Sequence, residues 1–207
     1  MRNLLGALLL FTCIIGKAQT SGSYGVVLLP ADSLIRKNIH LVKIGHTTSV
    51  VFPAEYGKRR FGKNLDMIFF TPDTNLVKRI NNEIINQYCK ANERFLTNFW
   101  QNNLKVSKGD TINLNKSIEV SKLESSKYCD LWQVNSAFYD KQFVGYFSKK
   151  GEKILLIKLI DFRQDPYKLK SNLAITWIDG WHGWFYSNII QLHYHVDKDL
   201  LTIDEDI

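Results

Sequence analysis

The stretch from Pro72 to Asn102 constrains the fold of this chain more than any other part of the sequence. Leu76, Ile80, Ile84, Tyr88, Phe95 and Phe99 recur at helical spacing along one stripe, and Ile85, Cys89, Leu96 and Trp100 add a neighbouring stripe. Thr71-Pro72-Asp73 reads as a start signal: a hydroxyl cap, a proline at the first helical position and an acid in the first turn. An apolar arc this wide predicts a long helix covered on more than one side, by a sheet and a loop. Lys78, Arg79, Asn82, Glu83 and Asn86 form the remainder that faces water.

Such a helix needs a sheet to pack on, and the C-terminal part of the chain supplies one. Phe143 to Ser148 and Lys153 to Phe162 are β-rich runs joined by Lys149-Lys150-Gly151-Glu152, where Gly151 can take the positive φ of a short hairpin loop. Lys153 to Phe162 is nearly continuous in Ile and Leu, as in a central strand covered on both faces. Leu173 to Ile178, Gly183 to Ile190 and Leu192 to Ile203 are expected to complete an antiparallel meander. Shorter strands are expected at Tyr24 to Leu29, Thr48 to Phe52 and Asp66 to Phe70, the first two bounded by Pro30 and Pro53. The polar region 103–128 reads as a long excursion with one edge strand around Thr111 to Val120. The expectation is a single α+β domain: one long amphipathic helix on an antiparallel sheet of about five to seven strands, a meander or cystatin-like helix-on-sheet roll.

The first 18 residues read as a cleavable secretory signal, with the domain occupying 19–207. Met1-Arg2-Asn3 is a short positive start, Leu4 to Ile15 is an apolar run too short to span a membrane, and Gly16 and Ala18 place small residues at −3 and −1 of a cleavage site. Cys13 raises lipid anchoring as another route. The Leu-Phe-Thr before it and the apolar Ile14 and Ile15 after it do not fit an acylation signal, so ordinary secretion or periplasmic location is the expectation. No later segment is long and apolar enough to be read as a membrane span.

Export bears on the cysteines and on the charge. Cys89 and Cys129 remain after processing, and in an oxidising compartment they can pair or stay as two buried thiols. Removing Arg2 and Lys17 takes the formal charge from +7 to +5, too dilute for a nucleic-acid-binding stripe. Lys58, Arg59, Arg60 and Lys63 carry the densest part of it and read as a solvated basic surface. Hydrophobic content of 45% and aromatic content of 13% suffice for a core.

Two clusters carry chemistry. Trp177-Ile178-Asp179-Gly180-Trp181-His182-Gly183-Trp184-Phe185-Tyr186 could offer a sugar-stacking platform, with Trp177, Trp181 and Trp184 as rings and Asp179 as hydroxyl acceptor; otherwise it is a turn whose aromatics pack inward. On a strand, Gln191, His193, His195 and Asp197 share one face, and with His182 they could ligate zinc or copper; otherwise this face is the solvated side of a half-buried strand. Asp161, Asp165 and Asp179 are the acids from which a glycosidase pair would have to be drawn. No nucleophile elbow, His-Glu-x-x-His pair or phosphate-cradling loop is present, and no cofactor is expected.

Tyr139 to Tyr146 (Tyr-Asp-Lys-Gln-Phe-Val-Gly-Tyr), then Lys150-Gly151-Glu152-Lys153-Ile154, resembles a pattern in an uncharacterised family of small exported proteins of Bacteroidetes-type bacteria. Asp179-Gly180-Trp181 and Phe185-Tyr186 occupy the family's aromatic turn, and Phe70-Thr71-Pro72 the start of its helix. The resemblance covers mainly the C-terminal half and implies export and the hairpin, with no activity attached. The functional expectation is an exported, non-enzymatic binding domain for a protein or carbohydrate ligand. The alternative is a periplasmic or secreted hydrolase, metal-dependent or not.

Overall fold

A computed structural model describes residues 30–62, 67–106, 111–180 and 183–203. The expected strand Tyr24 to Leu29, the signal segment, Cys13 and the acidic tail 204–207 lie outside the described residues. The helices are α1 (Ser33–Arg36), α2 (Ala54–Phe61), α3 (Thr74–Val106), α4 (Thr111–Asp130), α5 (Trp132–Ser136) and α6 (Trp184–Asn188). The strands are β1 (His40–Ile44), β2 (Thr47–Val51), β3 (Ile68–Phe70), β4 (Tyr139–Phe147), β5 (Lys153–Asp161), β6 (Ile189–His195) and β7 (Leu200–Ile203). All seven strands form one sheet in the order β1-β2-β4-β5-β6-β7, with β3 alongside β4.

The architecture is α+β, as the patterning requires. β4 to β7 are an antiparallel meander, and β4 and β5 are buried along nearly their whole lengths. The turn between them places Gly151 at φ +79°, a conformation that costs glycine little. Among the described residues one pairing is parallel, β2 with β4, Ser49–Val51 against Lys141–Phe143. β3 continues along the same edge of β4, Phe70 opposite Gly145, so two short strands share one long neighbour.

The long helix packs on one face of the sheet. Val77, Ile80, Ile84, Tyr88 and Ala91 are buried on it, against Phe143, Leu155, Ile157, Leu159, Leu192, Tyr194 and Leu201. Each such aliphatic or aromatic side chain contributes roughly 1.5–3 kcal/mol when fully buried. Trp132 of α5 closes this core by stacking on Tyr88, ring centroids 3.9 Å apart. α3 also shields an edge: Arg94 donates to the Leu201 carbonyl at 2.7 Å, and Gln87 Oε1 accepts the Leu201 N–H at 3.0 Å, occupying backbone groups of β7 that would otherwise be open to another strand.

Several local expectations are corrected. Asp73, not Thr71, caps α3, its Oδ1 accepting the Leu76 N–H at 2.8 Å; Thr71 Oγ1 instead accepts the Ala54 N–H at the start of α2. The polar excursion is helix α4, which packs on α3 and α5, so α3 is covered by the sheet and by a helix rather than a loop. Cys89 and Cys129 form a disulfide between α3 and α4, Cα atoms 5.7 Å apart. A helix that leans on another helix instead of the sheet needs only a narrow apolar stripe, which is why its polar sequence reads as loop. Residues 173–178 are irregular; among the described residues their one isolated bridge is Thr176 opposite Pro30. The expected strand Gly183 to Ile190 is largely helix α6, and Leu192 to Ile203 is two strands folded at 196–199.

The second face of the sheet is covered as well, by α1, α2, α6 and the segment 162–180, and this sets the fold apart from a one-sided helix-on-sheet roll. Its core joins Val50, Phe52, Tyr56, Val144, Leu156, Ile160, Leu169, Trp177, Ile178 and Phe185. Loop, rather than helix, forms much of that cover. The polar groups of its backbone must therefore find partners on the sheet.

Candidate ligand-binding site

Two of those partners, Gln142 and Lys158, lie in one row with a third polar side chain, Gln191. Gln142 on β4 is opposite Lys158 on β5, and Lys158 is opposite Gln191 on β6, so three polar side chains cross the loop-covered face side by side. Gln142 is completely buried and grips the overlying segment: its Nε2 donates to the Leu173 carbonyl at 2.8 Å and the Thr176 carbonyl at 2.7 Å, and its Oε1 accepts the Ile178 N–H at 2.9 Å. The Tyr56 hydroxyl accepts the Trp177 N–H at 2.7 Å from the other side. Four hydrogen bonds thus tie this irregular segment to β4 and α2.

Lys158, the second member, is 2% exposed. Its Nζ donates to Asp179 Oδ1 at 2.6 Å and to the Ile178 carbonyl at 3.1 Å, and lies 5.3 Å from the centroid of the Trp177 ring. Burial pushes its ammonium below the usual lysine range; the Asp179 carboxylate opposes that and holds the charge, while Arg60 adds to the lowering. Asp179 is also reached by Arg60 Nη2 at Oδ2, 3.4 Å away, and by the Gly180 N–H at Oδ1, 3.1 Å away. Its side chain nevertheless stays 47% exposed. It is a carboxylate anchored from beneath and open above.

The row ends at Gln191, where the loop cover stops. There Lys158, Asp179, Gly180, Phe185, Tyr186, Ile189, Gln191 and Ile203 border an open pocket of about 340 Å³. Phe185 is buried under its floor, and Tyr186 on the rim is 73% exposed. A side chain at Gly180 would run into the Phe185 ring, 2.5 Å from a Cβ built there, so this position needs glycine for close packing. A second groove of about 310 Å³ lies beside the disulfide between α3 and α4. That groove has surface lysines and serines but no buried charged group aimed into it, and ligand sites depend on a few placed polar groups in an otherwise apolar hollow.

The candidates from sequence are distributed as follows. Asp179 is in the pocket. Trp177 is 1% exposed and packs against Phe52 and Phe61, so it lies under the site instead of forming a platform. Trp184 is half-buried, its Nε1–H donating to the Gln164 carbonyl and its ring edge-on to Phe185 at 5.3 Å. Trp181 and His182 lie outside the described residues. His193 and His195 do share a face with Gln191, but that face is covered: His193 is 1% exposed, with Tyr146 edge-on at 6.2 Å. His195 Nδ1 is 3.8 Å from Glu152, and Asp197 Oδ2 accepts the Lys153 N–H at 3.0 Å. Among the described residues no three His, Cys, Asp or Glu side chains are grouped to hold a metal ion. Asp161 pairs with Arg163 at 2.6 Å, and Asp165 caps the 3₁₀ turn Leu169–Asn172, so both acids have structural work away from the pocket.

Gln142, Lys158 and Arg60 bond to the segment 173–179, and none of them is a candidate from the sequence. Lys158 had a visible signal: one lysine inside Ile-Leu-Leu-Ile-Lys-Leu-Ile, a strand read as buried on both faces, must find a partner or lose its charge. Arg60 belongs to the basic run read as solvated. Its neighbour Arg59 pairs with Asp32, while Arg60 turns inward to the site.

No family model matches this chain, and neither a curated protein nor a solved structure is similar to it. Among the described residues no helix is long and apolar enough to cross a membrane.

Proposed function

We propose that this is an exported, non-enzymatic binding domain whose ligand sits in the pocket above Lys158 and Asp179. The observation that carries the reading is the Asp179 carboxylate, fixed from below by a buried lysine and left open to solvent beside an exposed Tyr186. Holding a charged lysine at 2% exposure is costly unless it is paired, and here the pairing orients a surface carboxylate before any ligand arrives. Asp179 is the one acid among the described residues that border the pocket, and its oxygens are engaged by three donors. That arrangement suits holding a ligand better than moving protons. The hydrolase alternative finds no specific observation in its favour.

Export is supported by the signal-like segment 1–18, by the resemblance to small exported proteins and by the Cys89–Cys129 disulfide, a bond that persists in oxidising compartments. The mature chain should begin at Gln19 when recovered outside the cytoplasm, as N-terminal sequencing will show. The binding reading is tested by amide NMR of residues 19–207 against a library of small neutral, cationic and anionic fragments. The expected result is a set of hits whose shifts cluster at Lys158, Asp179, Gly180 and 185–191. Hits confined to the α3–α4 groove, or none at all, would overturn the assignment.

A further inference from the structure

The charge balance of the pocket restricts what it can hold. Asp179 faces two cations, Lys158 Nζ at 2.6 Å and Arg60 Nη2 at 3.4 Å. A cationic ligand approaching the carboxylate would meet both of these positive charges. An anionic ligand would meet the carboxylate itself, because it is Asp179 that is exposed while Lys158 is buried beneath it. Neither sign of charge is welcomed. Hydrogen-bonding capacity nevertheless remains: an ionised carboxylate offers about four acceptor sites, and three donors are directed at this one. The Gln191 side chain on the pocket wall brings both a donor and an acceptor. The rest of the lining is flat or apolar: Tyr186 exposed on the rim, Phe185 below, Ile189 and Ile203 at the side.

The geometry points to a neutral, polyhydroxylated ligand, a saccharide, with one ring hydroxyl donated to the remaining acceptor position of Asp179, others exchanged with Gln191, and the apolar face of the sugar laid on Tyr186. This rests on the proposed binding role of the same pocket and goes beyond it by naming the ligand class. Hydroxyls both donate and accept, so they complement a carboxylate already paired with two cations. An aromatic ring with a polar handle gives contact area at low entropic cost. A pocket of about 340 Å³ is at the small end of the range for ligand sites, roughly 300–1,000 Å³, which fits a short saccharide and not a large cofactor.

The test is a matched comparison by saturation-transfer and amide-shift NMR. Cellobiose, maltose, lactose and chitobiose serve as neutral probes, glucuronic acid as the anionic one and glucosamine as the cationic one. A glycan array of neutral oligosaccharides widens the first group. At least one neutral saccharide should bind about tenfold more tightly than either charged sugar and shift Lys158, Asp179, Gly180 and Gln191; Tyr186→Ala and Asp179→Ala should each weaken it by about tenfold. Tyr186 is 73% exposed, and an amide spectrum of its variant unchanged away from the pocket will show the fold intact even if the Asp179 variant loses stability. Asp179-dependent binding of only charged sugars or charged fragments would leave the pocket reading standing and overturn the neutral-saccharide class. Failure of every neutral saccharide and every fragment at this pocket would overturn both.

Discussion

Each face of the sheet buries a lysine, and the two are treated differently. Lys158, on the loop-covered face, meets a carboxylate, a carbonyl and an indole ring, and that carboxylate opens onto a pocket. Lys141, on the face under α3, is 5% exposed and donates to the Tyr139 carbonyl at 2.9 Å. Burial pushes its ammonium down to about 8, with the neighbouring Asp140 only partly opposing. Asp140 itself takes the Thr48 N–H at 2.6 Å and Lys170 at 3.1 Å. The helical cover satisfies its own backbone and needs only apolar contact from the sheet. The loop cover needs hydrogen bonds, and Gln142 and Lys158 supply them from the sheet. A charge beneath a loop can be coupled to the surface; one beneath a helix is a local cost.

The contrast can be broken in order of expected effect. Removing the disulfide by Cys89→Ser with Cys129→Ser frees a 40-residue loop in the unfolded chain and should cost up to about 4 kcal/mol in urea denaturation. Hydrogen exchange should show α4, which packs on α3 and α5, losing protection before the sheet; equal loss throughout would mean that the two helical layers are not separable. Gln142→Leu strands three polar groups of the loop and should cost about 3 kcal/mol. Chemical shifts at 173–178 should move while those of α3 stay in place.

Asp179→Ala leaves Lys158 with the Ile178 carbonyl and the Trp177 ring but no counter-charge. It should cost about 2 kcal/mol, discounted because the carboxylate is half exposed, and adding Lys158→Met should recover most of the loss. No recovery in the double variant would mean that the pair is not coupled. Lys141→Met should instead stabilise, by about 2 kcal/mol at neutral pH. The sign follows from linkage. The folded-state value of about 8 lies below the ordinary 10.5, so the unfolded chain holds the extra proton between the two. Stability of the wild type therefore gains a rising component from about pH 8 to 10.5, and the Lys141→Met variant should lack it. A variant less stable than wild type at pH 7 would contradict the burial cost assigned to Lys141.

Sequence patterning made the two central strands, the hairpin at Gly151 and the long helix legible, because each carries an unbroken period over many residues. It misread α4, whose contacts are with a helix, and the segment 173–178, whose apolar residues fill a core without forming a ladder. At the site, Asp179 could be singled out because it stands among aromatics, and the in-step placement of Gln191, His193 and His195 was readable from alternation. That this polar face is buried was not, since alternation identifies two faces without saying what covers either. Trp177 shows the same limit: an aromatic beside a turn is a platform or a core residue according to which way the chain passes over the sheet. Gln142 and Lys158 gain their roles only from cross-strand register, which joins residues far apart in the chain.

The most direct test of the central claim is a pH titration of the lysine side-chain resonances in wild type and in Asp179→Asn. Lys141 should titrate near 8 in both proteins, while Lys158 should titrate at a clearly lower pH once the carboxylate is neutralised. If Lys158 titrates identically in the two proteins, Asp179 does not hold its charge, and the pocket loses the fixed carboxylate on which its proposed role depends.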